Sequence, residues 1–158
     1  MKLVGLIILQ GLLEMTGTVG LSLVLARTQF SWKKAFLVGS GLFVVLQIVR
    51  HLPLFFGLHT LIGLLISTVY LIRCEKVSVA RSFMAAFLSL FFLGLLEFAF
   101  NELFLSVLHI SGEVVVTNPI RWALIGLPQG IVMILSAWGA SRVMKPYSRE
   151  KDELSRLK

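Results

Sequence analysis

Arg50 and His51, followed by Pro53, Gly57 and His59-Thr60, set a permanent cation and two imidazoles into a chain otherwise apolar enough to live in lipid. An ionisable group at membrane depth is costly and faces a bundle interior or a wet cavity, so this segment marks where chemistry should be sought. The chemistry it offers is recognition: a guanidinium presents a planar fork of donors, and an imidazole can donate or accept. Further polar groups stand on other apolar stretches at Glu14, Gln47, Glu97, Asn101 and Gln129. A carboxylate at that depth would pair with Arg50, and two of them also permit proton coupling.

Catalytic constellations are missing. The sequence has no GxSxG, HExxH, CxxC or Walker-type glycine loop, and no aspartate lies in an apolar stretch. Cys74 falls at the opposite end from the three histidines, which defeats a thiol peptidase. Glu97 and Glu102 with His109 lack the adjacent glutamate pair of a glutamate-type intramembrane protease. One cysteine and three histidines supply neither an internal disulfide nor a structural zinc set. The expectation is a protein without enzymatic activity, cofactor or metal.

The elements that position these groups follow from composition. Hydrophobic residues make up 57% of the 158 positions and charged residues only 15%, with a mean hydropathy of +0.90; this is outside the soluble range of about 25% charged. The formal charge of +7 comes from short basic clusters between apolar runs, which act as topology signals and contacts to anionic lipid rather than as a nucleic-acid surface. Breaks over 27–34, 50–58, 73–81 and 110–121 predict helices near 3–26, 35–50, 59–72, 82–109 and 120–142, judged against the roughly 20 residues a bilayer needs. The fold class is therefore all-α, a polytopic bundle of five transmembrane helices over residues 1–144 with a short charged tail over 145–158. The first run is longer than a signal-peptide core, carries Glu14 at its centre and lacks a clear cleavage site, so it is read as a retained helix.

The second and third helices, at about 16 and 14 residues, are short for a bilayer, so the turn between them should dip below the outer surface. Pro53 disfavours helix at the residue before it and Gly57 permits positive φ, which makes a tight reversal there. Lysine and arginine decide direction: all but Lys2, Arg50 and Arg121 fall on one side. That side is cytoplasmic, with the amino terminus outside. Trp32, Trp122, Trp138 and Tyr147 sit near helix ends, as interfacial aromatics do.

Counting inward from the cytoplasmic ends puts Glu14, Arg50, His59, Glu97 and Gln129 at about 18 to 22 Å, one polar group per helix in one layer. Gln47 lies one turn below Arg50, and Asn101 one turn above Glu97. Two readings stay open: a ligand-receiving cavity lined by these groups with His51, His59 and Thr60 near its mouth, or an interior ion pair that fixes helix registry. Pro128 removes a backbone bond from the fifth helix and bends it, as a kink or a hinge. Gly126/Gly130, Ala35/Gly39 and Ser82/Ala86 are small-xxx-small pairs suited to close helix packing. The phenylalanines of the fourth segment read as lipid-facing or core filler. In the tail, Arg149/Glu153 and Asp152/Arg156 have i,i+4 spacing on a solvated stub.

Trp32-Lys33-Lys34, then Arg50-x-Leu52-Pro53, Phe56-Gly57-Leu58-His59-Thr60, Leu95-Leu96-Glu97 and Gly126-Leu127-Pro128-Gln129 follow one another in an order that resembles the amino-terminal membrane domain of Gram-positive, GHKL-type histidine kinases of the peptide-sensing kind. The similarity covers about residues 5 to 142. It implies that Arg50, Pro53, Gly57, His59, Glu97 and Gln129 belong to a sensing region, and that a homodimer in a bacterial plasma membrane passes a signal inward through the fifth helix. The departure is that the 158 residues hold no phosphoacceptor or ATP-binding region, which leaves open a free-standing sensor, a subunit that depends on a cytoplasmic kinase or another output partner, or a truncated chain. The expected function is a non-enzymatic sensory module surrounded by membrane lipids; the rivals are a small substrate-binding subunit of an ATP-driven transporter and a structural membrane scaffold.

Overall fold

The computed structural model describes residues 2–50, 58–108 and 119–146. Among these residues five helices follow in order: α1 (Lys2–Leu25), α2 (Trp32–Arg50), α3 (Leu58–Arg73), α4 (Val79–Leu108) and α5 (Pro119–Val143). The described residues contain no strand. Among the described residues, three helices are long and apolar enough to cross a membrane, over Val4–Leu25, Trp32–Val49 and Val79–Phe104, while α3 is a shorter apolar helix. The chain has the build of a membrane protein. α5 stays helical through Pro128.

One expected boundary needs correction. α2 starts at Trp32, not near Ala35, and at 19 residues it is not short. Its lysines lie inside the first turn, where both are exposed and Lys34 has an acidic partner. The Ser31 carbonyl accepts the Ala35 N–H at 3.0 Å, and the Lys34 ammonium reaches the Glu75 carboxylate at 2.8 Å. α4 begins early in the same way, with the Ser78 carbonyl accepting the Ser82 N–H at 2.9 Å; serine is a favoured residue at such a start. The dip expected of the α2–α3 turn, with His51, Pro53 and Gly57, falls on positions outside the described residues, as do His109, Tyr147, the side chains of Arg50 and Trp122, and the tail beyond Pro146.

α1 closes with a left-handed residue. Arg27 has φ of 56°; its N–H bonds the Val24 carbonyl at 2.9 Å, and the Thr28 N–H bonds the Leu23 carbonyl at 3.1 Å. These are the two bonds of a Schellman cap, which glycine makes without strain. Arg27→Gly is accordingly expected to stabilise the protein by up to about 1 kcal/mol, read as a higher Tm in detergent. A lower Tm would mean that the Arg27 side chain contributes more than its backbone strain costs.

α1 is the axis of the bundle. Every residue from Met15 to Val24 is buried, and the helix packs against all four others. Small residues permit this by letting backbones approach closely. A Cβ on Gly17 would lie 2.6 Å from Met133 Cβ, one on Gly130 would lie 2.9 Å from Leu13 Cβ, and one on Gly39 would lie 2.8 Å from the Thr16 backbone. Gly126 and Gly130 thus serve a seam within the bundle. Some hydroxyls in this core are returned to backbone or paired: Thr18 Oγ1 donates to the Glu14 carbonyl at 2.7 Å, and Ser22 Oγ meets Ser89 Oγ of α4 at 2.5 Å; those of Thr16, Ser67 and Ser82 are buried without a hydrogen-bond partner.

The contact pairs also fix direction. Gln10 meets Gly126, Leu13 meets Gly130 and Gly17 meets Met133, so α1 and α5 run parallel; Gly11 meets Phe43 and Gly20 meets Ala35, so α2 runs antiparallel to α1. The loop after α1, the loop before α4 and the carboxyl end of α5 therefore share one end of the bundle. That end carries Arg27, Lys33, Lys34, Arg73, Lys76, Arg81 and Arg142. α2, α3, α4 and α5 form an arc around α1 in which each neighbours the next. An apolar groove of about 380 Å³ between α1, α2 and α5 is lined by Leu9, Leu12, Leu13, Thr16, Trp32, Phe36 and Ile134.

Candidate functional site: a polar cavity shared by five helices

A cavity of about 140 Å³ lies in the half of the bundle away from the basic loops, and every helix contributes to its wall. α1 supplies Gln10, Glu14 and Met15, and α3 supplies His59, Thr60 and Gly63. Leu90, Leu93, Gly94, Glu97 and Asn101 come from α4, with Gly126 and Gln129 from α5. The structure thus brings Glu14, His59, Thr60, Glu97, Asn101 and Gln129 together. α2 contributes Leu46 to this wall, not the expected Gln47; Gln47 is half-buried and has a partner of its own.

Gln10 is the residue that sequence reasoning missed. It is 4% exposed, and its Nε2 donates to Glu14 Oε1 at 3.0 Å. Its own Oε1 is buried without a hydrogen-bond partner, a situation that costs about 1–3 kcal/mol unless something fills it. Gly126 makes room for this amide, since a Cβ there would collide with the Gln10 side chain. The available signals were the i,i+4 spacing of Gln10 and Glu14 and the glycine that faces them on α5.

The remaining groups are less enclosed. Glu97 is exposed and Asn101 half-buried, one turn apart on α4, and no hydrogen bond or ion pair engages Glu97 among the described residues. Gln129 is 5% exposed and lines the same space. Glu14 and His59 both have partners. Gly94 opens the cavity, because a Cβ built on it meets nothing within 4 Å. Among the described residues no group of three His, Cys, Asp or Glu could hold a metal ion.

The aromatic residues lie elsewhere. Phe83, Phe87 and Phe91 stack along the outer face of α4, with centroids 6.2 and 6.1 Å apart. None of them lines the cavity. Trp138 near the end of α5 has the Arg142 guanidinium 5.0 Å from its ring centroid, a cation–π contact suited to an interface. No protein-family model, curated protein or solved structure matches the chain.

Proposed function

We propose that the chain is a non-enzymatic membrane sensory module of five spans, with its amino terminus outside and its tail in the cytoplasm of a bacterial plasma membrane. A ligand enters the outer-half cavity, the bundle changes arrangement, and the cytoplasmic end of α5 moves. The observation that carries this reading is the cavity itself. A polar layer that only fixed helix registry would close on itself, because empty space in a packed interior is destabilising. Its position in the half opposite the basic loops makes it outward-facing under the positive-inside rule.

Arg50 is the cation of this layer on α2, and the motif resemblance to kinase sensor domains supplies the output: a homodimer acting through a cytoplasmic kinase or other partner. Ligand binding shifts such an equilibrium only by its differential affinity for two states, so the two bundle arrangements must differ around the cavity. Native mass spectrometry of the protein gently extracted from its own membrane tests this. A homodimer, or a complex with a kinase-like protein, is the expected result. A one-to-one complex with transporter subunits, or a tightly held vitamin-sized solute, would overturn sensing in favour of transport.

A further inference from the structure

We propose that the cavity receives a compact cation rich in hydrogen-bond donors, of the alkylammonium or alkylguanidinium class, held by Glu97 and Gln10. The inference rests on the reading of this cavity as a ligand site and names the chemistry of its ligand. Two carboxylates, Glu14 and Glu97, belong to the layer, against one permanent cation, Arg50. Arg50 can balance only one of them, and His59, the basic side chain that lines the cavity among the described residues, already has a partner. Glu14 already takes a hydrogen bond from Gln10 and has a further partner. Glu97 has none among the described residues, so the uncompensated charge falls at the open side of the cavity, on α4.

Hydrogen-bond capacity points the same way. The buried end of Gln10 that is still open is an acceptor, Oε1, because its Nε2 is committed to Glu14. A carboxylate is acceptor-only when ionised. The two unfilled groups both call for donors, which an ammonium or guanidinium supplies and an anion lacks. Size sets the remaining limit. A cavity of about 140 Å³ compares with one of about 150 Å³ that holds a single benzene molecule, so the bound part is a small cation with a short apolar stem. Leu46, Leu90 and Leu93 supply an apolar wall for that stem.

Thermal unfolding of the full-length protein in nanodiscs with butylammonium, butanol and butyrate tests the proposal, each against matched ionic strength. Butylammonium should raise Tm, butanol should do so weakly, and butyrate should not. Glu97→Gln, which keeps the shape and removes the charge, should abolish the butylammonium shift. The proposal is overturned by an equal or larger shift with butyrate or butanol, by no shift with any of the three, or by a butylammonium shift that survives Glu97→Gln. The sensory reading fails separately, on the identity of the copurifying partner. A neutral solute found in a homodimer with an output protein would remove the cation and leave the sensor standing.

Discussion

Gly39→Leu should lower the stability of the bundle by about 3 kcal/mol or more, and even Gly39→Ala should cost about 1–3 kcal/mol. A Cβ at this position would stand 2.8 Å from Thr16 Cα and N and 3.0 Å from the Met15 carbonyl carbon. Backbone atoms cannot rotate aside as the end of a side chain can, so α2 would have to move away from α1. That separation would strip contact from Leu42 and Leu46, which are buried in the same cluster as Met15 and Val19. Gly41 is the control: nothing lies within 4 Å of an added Cβ there, and Gly41→Ala should gain up to about 1 kcal/mol from helix propensity. Equilibrium unfolding in mixed micelles measures all three variants. Wild-type stability in Gly39→Ala would show that α1 and α2 are not held at the approach seen here.

The second large effect concerns access. Gly94→Phe should fill the cavity without disturbing the fold, since its Cβ points into open space and phenylalanine is the better helix former by about 0.5 kcal/mol. A thiol placed at Leu90, which lines the same cavity one turn deeper along α4 than Gly94, reports the result. In a Cys74→Ser background, Leu90→Cys should react with a membrane-impermeant cationic thiol reagent added from outside. Adding Gly94→Phe should slow that reaction by about tenfold or more, as reactivity follows access. Equal rates with and without the phenylalanine would mean that the cavity is not the route to Leu90. No reaction from outside in either protein would contradict the proposed outward opening.

Helix existence was legible from hydropathy and charge, because long apolar runs punctuated by basic clusters have few other solutions in lipid. The start of α2 was not, since Lys33 and Lys34 look like a break until Glu75, 41 residues from Lys34, is known to sit beside it. Counting residues along helices gave the height of Glu14, His59, Glu97 and Gln129 but carries no information about rotation. That is why Gln47, at a suitable height, lies off the wall while its neighbour Leu46 lines it. Gln10 was hidden for the opposite reason: a single amide in an apolar run looks incidental until the Gly126 notch that admits it is seen across the seam. The centrality of α1 was also illegible. Its hydroxyl and glycine positions permit close packing on any side, and only the assembled partners show that it is surrounded.

The parallel seam between α1 and α5 has a mechanical consequence. Gly126, Gly130 and Gly17 are notches at three heights, each filled by a side chain of the opposite helix. Sliding one helix along the other by less than a turn, about 5.4 Å, would drive the Gln10, Leu13 and Met133 teeth out of their notches and onto backbone at once. The pair therefore resists axial slip in the manner of a toothed rack and behaves as a single two-stranded strut. Force applied at the Gln10–Glu14 end of this strut arrives at Arg142 as tilt or rotation of the whole strut.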